Sequence, residues 1–254
     1  YMFRDFLYVV DLRLFIIAII SVFATRACEV YNYSGSMPTS LIGLAVVFPI
    51  VFSINSAFQR RDEALEHYGS INANLTSIYF AHVNWPYHSG DSAQDRELEI
   101  KDLVLKLIEA IKLDITVESN DYKKEVYQYF NVLSKKNVAL RDLDISSGEI
   151  SRINNWLNNV IISFERLSSI SDYRTPKALR AYSKIFLHIF PILFAPYFAY
   201  LNVQVQYLGF IVAIGYSAVL VMLSNIQDQV ENPFDSEGLD DIDLERENRF
   251  KKVI

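Results

Sequence analysis

The sequence predicts an all-α membrane protein in which two helical hairpins flank a helical cytosolic domain. Three observations support this fold class. Apolar residues are gathered into four runs, the short loops within each pair of runs contain no Lys or Arg, and the polar middle of the chain has helical periodicity without sustained strand alternation. With 254 residues, of which 51% are hydrophobic, the chain can also bury a sizeable core.

The composition excludes several classes of protein. A single cysteine, Cys28, rules out a disulfide framework and a Cys-based zinc site. The net charge of −6 argues against nucleic-acid binding, because a phosphate backbone requires a basic protein face. The sequence contains no phosphate-binding glycine loop and no nucleophile elbow, and nothing places a nucleophile beside a base. We therefore predict a protein that is not an enzyme and does not bind nucleic acid.

The four apolar runs are the predicted membrane spans. They occupy residues 14–24, 41–58, 185–203 and 207–224. A spanning helix needs about 20 apolar residues, and the last three runs approach that length without any Asp, Glu, Lys or Arg. The first run is short, and extending it brings in Asp11 and Arg13, which we expect at the membrane interface or shielded by neighbouring helices. A buried core helix is the alternative explanation for each run.

The basic residues orient these spans. Seventeen of the 24 Lys and Arg residues lie between Arg60 and Lys184, whereas the loops 27–40 and 204–206 contain none. Because basic loops stay in the cytoplasm, both short loops are predicted outside, and the middle of the chain and both termini inside. The predicted parts are an N-terminal segment with the first hairpin (1–58), a cytosolic helical domain (59–184), the second hairpin (185–224) and an acidic C-terminal segment (225–254). The protein is thus expected to be a multi-pass integral membrane protein.

The middle domain is predicted to consist of amphipathic helices. Residues 94–118, 122–143 and 149–170 all have apolar positions at helical spacing. In the first of these stretches we expect one apolar face, formed by Leu98, Leu103, Leu107, Ile108, Ile111 and Ile115.

The second apolar run contains a candidate pore-lining face. Pro49 lies in mid-helix, where it removes a backbone hydrogen bond and kinks the axis. Phe48, Phe52 and Ser56 are spaced four apart and share a face, and Asn55 adds a polar group at the end of the run. A face that changes from aromatic to polar would line a pore with a narrow, dewetted neck. A lipid-facing aromatic stripe on a kinked helix explains the pattern equally well.

The segment after the last run is a candidate cation site. Seven carboxylates lie within the fifteen residues from Glu231, without any Lys or Arg. Ca²⁺ takes six to eight oxygen ligands, which a bent acidic loop can supply. A solvated acidic tail is the alternative, although Asn232-Pro233-Phe234 at its start indicates that the segment is anchored.

The histidines do not have the spacing of metal ligands. We expect His67 and His82 to be solvated, because their surroundings in the sequence are polar and helical. His188 lies within the third run, where a neutral, hydrogen-bonded interior histidine is favoured over a functional one.

Three motifs carry a family resemblance. The first is Asn232-Pro233-Phe234 followed by acids, directly after the last span. The second reads Phe52-x-x-Asn55-Ser56-Ala57-x-x-Arg60-x-x-Glu63-Ala64, with Gly69 after it. The third runs from Phe164-Glu-Arg-Leu to Arg174-Thr-Pro-Lys-Ala-Leu-Arg-Ala-Tyr182. In their order and with the four-span layout, these motifs resemble the bestrophin family of anion channels over the whole chain.

The resemblance implies a homopentameric channel in a lipid bilayer, with one axial pore lined by the second helix of each subunit. The family's neck consists of three apolar rings, which would fall at Phe48, Phe52 and Ser56, with Pro49 and Asn55 on the same pore helix. Ser56 departs from the apolar residue that is usual in the third ring. The expected permeant partners are small anions such as chloride or bicarbonate. A cation-conducting relative of the same fold and a non-conducting membrane scaffold or fused module stay open as alternatives.

The resemblance also implies Ca²⁺ as a ligand, because animal members of the family bind Ca²⁺ through this acidic loop. The implied donors are a backbone carbonyl near the N-terminus, carbonyls of Gln229 and Asn232, and the carboxylates of Glu237 and Asp240. Glu237 stands where the calcium-binding members have Asp, and Gly238 and Leu239 replace acids.

Overall fold

The structure, a computed structural model, describes residues 11–37, 39–86, 91–117, 120–173, 177–235 and 241–253. Within these ranges the regular elements are nine α-helices and one 3₁₀ helix, without a strand, which confirms the predicted all-α class. The elements are α1 (Leu12–Val30), α2 (Thr39–Asn84), α3 (Asp91–Thr116), α4 (Asn120–Ala139), the 3₁₀ helix (Leu140–Leu143), α5 (Ser147–Asp172), α6 (Lys177–Leu193), α7 (Ala195–Gln204), α8 (Leu208–Val230) and α9 (Arg249–Val253).

The chain divides into two compact units. Among the described residues, the first unit holds 11–59 and 177–232, and the second holds 60–173, 233–235 and 241–253. The helix α2 contributes to both, because it continues for 46 residues from the apolar run into polar sequence.

The first unit is built on α1 and α8. The helix α1 packs against α6, α7 and α8, and α8 also packs against α6 and α7. Its core is small, with three phenylalanines among ten buried residues, and it includes Ile50 from the first part of α2. The rings of Phe190 and Phe194 stack there with centroids 4.1 Å apart.

The turn from α7 into α8 requires a glycine. A Cβ atom on Gly209 would lie 1.9 Å from the carbonyl oxygen of Phe198, so no larger residue fits without moving the backbone. The Gly209 N–H donates to Asn202 Oδ1 at 2.6 Å, and Asn202 Nδ2 donates to Glu29 at the end of α1. This polar contact therefore fixes the ends of three helices of the first unit.

Two stretches of the described helices are long and apolar enough to cross a membrane. They are Lys184–Gln204, which joins the end of α6 to α7, and Leu208–Val230, which is α8. They correspond to the third and fourth predicted spans. The first and second spans, and the predicted membrane and cytosolic boundaries, stay predictions.

The second unit buries a larger core between the second part of α2 and the helices α3, α4 and α5. The residues of α2 that enter this core recur at helical spacing and are Ala64, Tyr68, Ile71, Leu75 and Ile78. The helices α3, α4 and α5 pack against one another. The core also includes residues from the last described stretch of the chain, namely Ile242, Leu244 and Phe250.

The phenol of Tyr68 connects α2 to the C-terminal residues of this unit. Its hydroxyl donates to the carbonyl oxygen of Leu244 at 3.0 Å. Burial raises the pKa of Tyr68 to about 12, so the phenol keeps its proton over the physiological range.

Candidate functional site

The first part of α2 has one buried and one exposed side. Ile50, Ser53 and Ala57 are buried within the first unit. Phe48, Phe52 and Ser56 are all exposed, and their four-residue spacing places them on one face, with the exposed Asn55 beside them. Pro49 lies inside the helix one turn before Ser53, where it removes a backbone hydrogen bond.

The two phenylalanines of this face form an aromatic pair. Their ring centroids lie 4.4 Å apart at an interplanar angle of 77°, an edge-to-face arrangement. Both rings are more than half exposed in the single chain, at 55% for Phe48 and 53% for Phe52. An aromatic ring edge carries the positive end of the ring quadrupole, so exposed edges can favour an anion.

The geometry fits both interpretations of this face that the sequence left open. A pore lining and a lipid-facing stripe both require side chains that the protomer leaves uncovered. The assignment of Phe48, Phe52 and Ser56 to a neck, and of Pro49 and Asn55 to a pore helix, therefore stays a prediction.

The buried side of α2 carries a contact that the sequence analysis missed. Gln227 Nε2 of α8 donates a hydrogen bond to Ser53 Oγ at 3.0 Å. Gln227 is 3% exposed and Ser53 is 0% exposed. Uncharged polar residues recur at helical spacing on α8, and Ser217, Ser224 and Gln227 are all buried. This spacing is the sequence signal that would have identified a polar helix face.

A charged cluster lies at the same end of α8. The Asp228 carboxylate pairs with Arg13 at 3.7 Å and with Lys184 at 3.2 Å. It thereby joins α8 to α1 and α6, and it gives Arg13 a carboxylate partner from a neighbouring helix.

The acidic segment is described in part. Gln229 and Asn232 are half-buried at the end of α8, whereas Glu237 and Asp240 lie outside the described residues. Among the residues that the structure describes, no three His, Cys, Asp or Glu side chains are grouped as metal ligands. The predicted Ca²⁺ site thus stays a prediction.

The predicted anchoring of the acidic segment is confirmed. Phe234 is buried in the core of the second unit, and the Pro233 carbonyl accepts a hydrogen bond from Ile242 N–H at 2.8 Å. Glu245 pairs with Lys251 and, at 3.4 Å, with Lys112, and these ammonium groups lower its pKa. Part of the acidic charge is therefore balanced by lysines of this unit.

The prediction that His82 is solvated is wrong. His82 is buried, and its Nε2 lies 2.9 Å from Asn137 Oδ1. Because Asn137 Nδ2 donates to Asn154, its Oδ1 is the acceptor and His82 Nε2 is the donor. Burial is the main cause that holds the pKa of His82 below its ordinary value.

His67 and His188 differ from His82. His67 is half-buried, so it keeps some of the solvent contact that was expected. His188 is hydrogen-bonded as predicted, since its Nδ1 donates to the Lys184 carbonyl at 2.6 Å, but it is exposed rather than interior in the single chain.

No protein-family model and no curated protein matches the sequence. Solved structures do match the fold. A bestrophin homologue from Klebsiella pneumoniae superposes with a TM-score of 0.75 at 15% identity, over 94% of this chain and 95% of that one. A single-site variant of that homologue gives a TM-score of 0.75 at 16% identity, over 94% of each chain.

A third structure, of a protein described only as a membrane protein carrying one mutation, gives a TM-score of 0.75 at 16% identity. It covers 94% of this chain and 95% of that one. With identities this low, the agreement concerns the fold over nearly the whole chain. The protein therefore has the fold of bacterial bestrophin homologues.

Proposed function

We propose that the protein is the subunit of a homopentameric anion channel, with a neck formed by Phe48, Phe52 and Ser56 of α2. The observation that carries this proposal is the exposed edge-to-face pair of Phe48 and Phe52 on one side of a helix whose other side is buried. The shared fold with a bestrophin homologue supports the family resemblance of the motifs, and that resemblance implies an assembly in which five copies of this face surround one axis. Chloride and bicarbonate are the anions we propose to pass.

The proposed location is a lipid bilayer, crossed four times. The helices α1 and α8 expose large apolar side chains along their lengths, among them Phe15, Ile19 and Phe23 of α1 and Ile211 of α8. Apolar surface of this extent is typical of a lipid or partner contact. Lipid would cover the outer surface of the pentamer, and neighbouring subunits would cover the rest.

The proposed neck acts on ions through shape and electrostatics. Five aromatic pairs around an axis would form a narrow apolar constriction from which water withdraws. Ring edges that point towards the axis would stabilise a partly dehydrated anion more than a cation. Asn55 and Ser56 follow within about one helical turn, where they would offer polar contacts to an ion that leaves the neck.

The test of the neck is the Phe52→Ala variant in a planar bilayer of purified protein. A smaller side chain widens and wets the constriction, so we expect a higher conductance and weaker closure. Phe23→Ala is the matched control, because Phe23 is an exposed aromatic residue of α1 outside the proposed neck. Unchanged currents in Phe52→Ala at normal expression would contradict the neck assignment.

The same recordings separate the alternative functions. A reversal potential that follows the anion gradient supports the proposal, whereas one that follows the cation gradient favours the cation-conducting alternative. Purified protein that passes no current would favour a membrane scaffold. Light scattering in mild detergent tests the assembly, and a monomer or dimer would contradict the pentamer.

We also propose Ca²⁺ as a regulatory ligand of the acidic segment. The donors would be Gln229, Asn232, Glu237 and Asp240, a set of oxygen donors that suits the preference of Ca²⁺. A bound ion would stabilise the folded protein, so the melting temperature should be higher with Ca²⁺ than with chelator. Glu237→Gln with Asp240→Asn should abolish this difference and leave the oligomer intact. Equal melting temperatures in the unmutated protein would show that no Ca²⁺ site operates.

A further inference from the structure

The hydrogen bond between Gln227 and Ser53 links α8 to the helix of the proposed neck. Both side chains are buried in the first unit, and their Nε2 and Oγ atoms are 3.0 Å apart. The Oε1 atom of Gln227 is also buried and makes no hydrogen bond. A buried glutamine with half of its amide unsatisfied is costly, so the contact it does make needs a structural or functional reason.

The position of Ser53 in α2 supplies such a reason. Ser53 follows Phe52 directly and lies one turn after Pro49, the residue at which the backbone ladder of α2 is interrupted. A rotation of α2 about its axis beyond Pro49 would carry Phe52 and Ser53 together. The bond to Gln227 opposes that rotation, because Ser53 Oγ would move away from Gln227 Nε2.

We propose that Gln227 is a positioning residue for the neck, which it orients through Ser53. This inference rests on the proposed function of the α2 face. The bond fixes the direction in which Phe52 points, and it connects that direction to the last turns of α8. The adjacent Asp228 pairs with Arg13 of α1 and Lys184 of α6. These ion pairs hold the end of α8 that carries Gln227, so Gln227 has a fixed position from which to orient Ser53.

If the hydrogen bond between Gln227 and Ser53 has only a structural role, a different result is expected. If the bond only stabilises packing, its loss lowers the melting temperature without altering gating. Ser217 provides a matched control, because it is a buried serine of α8 whose hydroxyl donates to the Ala213 carbonyl of its own helix at 2.8 Å. Ser217→Ala therefore removes the same atom as Ser53→Ala without removing a bond between helices.

The test compares open and closed dwell times of single channels in planar bilayers. Gln227→Met keeps the length of the side chain, and Ser53→Ala removes the acceptor. Each should shift the ratio of open to closed times by about three- to tenfold, the factor that one interhelical hydrogen bond supplies in a membrane. The two shifts should have the same direction, and the double variant should shift the ratio no further than the larger single shift, because both changes remove one bond.

Two control variants, Ser53→Thr and Ser217→Ala, should leave the dwell times nearly unchanged. Ser53→Thr retains the hydroxyl and should stay within about twofold of the unmutated protein, as should Ser217→Ala. Should Ser53→Ala or Gln227→Met fail to fold, the other variant serves as the reporter, because each of them removes the same bond.

The outcomes separate this inference from the proposed function. Unchanged dwell times in both Gln227→Met and Ser53→Ala, or additive shifts in the double variant, would overturn the positioning role while Phe52→Ala still alters the currents. Currents that Phe52→Ala also leaves unchanged would overturn the neck itself, and the positioning role with it.

Discussion

The first unit exposes its large apolar side chains, whereas the second unit buries them. Of the 32 large apolar side chains that are exposed among the described residues, 24 belong to the first unit and 8 to the second. The buried apolar clusters show the reverse, with 10 residues in the first unit and 29 in the second. The two units thus differ in how much of their apolar surface is buried when the single chain folds.

The difference indicates which surroundings each unit needs. The second unit gains most of its stability from burial within the chain, as a water-soluble helical domain does. The first unit leaves much of its apolar surface exposed in the single chain, which is typical of a surface that contacts lipid or a partner. This contrast supports the proposed bilayer location more strongly than the composition of any single helix does.

The largest effect is expected from a core residue of the second unit. Phe164 is fully buried and packs edge-to-face against Phe130. Phe164→Ala should lower the free energy of unfolding by about 3–5 kcal/mol, the cost of removing a buried aromatic ring. Thermal unfolding in mild detergent measures it. Phe23→Ala should cost clearly less, because the Phe23 ring is exposed in the single chain and loses little packing within the first unit. Equal losses in the two variants would contradict the contrast between the units.

A charge introduced on the exposed side of each unit sharpens the comparison. Ile211 of α8 is 67% exposed and Val138 of α4 is 43% exposed. If the exposed side of α8 contacts lipid, Ile211→Lys should reduce the amount of membrane-inserted protein. The cost should stay below about 2.5–3.5 kcal/mol, the value for a Lys at a helix centre, because Ile211 is the fourth residue of α8 and a Lys there can extend to the interface. Val138→Lys should leave insertion unchanged if α4 lies outside the membrane, as the sequence predicts for residues 59–184. Normal insertion of Ile211→Lys would argue for a protein or aqueous contact at this position.

The smallest effect concerns the buried histidine of the second unit. Burial lowers the pKa of His82 from its ordinary value of 6.5, and Lys136 and Arg96 act in the same direction, against Asn137 and Glu99. As pH falls below about 6.5, the unfolded chain binds a proton that the folded chain resists, so the folded state loses stability relative to the unfolded state. The slope is at most about 1.4 kcal/mol per pH unit, the value for one proton.

The matched variant for this pH dependence is His82→Gln, which can still donate to Asn137 but does not titrate. Chemical unfolding at a series of pH values between about 7 and 5 should show a flatter dependence for His82→Gln than for the unmutated protein. Parallel curves for the unmutated protein and His82→Gln would contradict the effect of burial.

Sequence periodicity predicted the helices of the second unit better than their faces. Of the six residues expected on one face of α3, the structure buries five and exposes Leu98. Leu98 precedes Ile111 by thirteen positions, which at 3.6 residues per turn places it about 140° around the helix. The apolar character of Leu98 thus suggested burial, although its angular position already excluded it from that face.

Contacts between distant residues were beyond the reach of the sequence. His82 meets Asn137 and Ser53 meets Gln227, pairs separated by 55 and 174 positions along the chain. Polar neighbours in the sequence suggested that His82 is solvated, but burial depends on the helices that pack around it. Arg13 pairs with its sequence neighbour Asp11 and also with Asp228, which only the packing of α1 against α8 brings near.

The sequence by itself determined the helical class, the apolar runs and the shared face of Phe48, Phe52 and Ser56, because each of these follows from spacing along a single helix. Its motifs also indicated the bestrophin fold that the structure comparison then showed. Only the tertiary structure decided which sides of these helices are covered and which buried polar groups meet. That decision depends on contacts between helices far apart in the chain, and these contacts leave no periodic signal in the sequence.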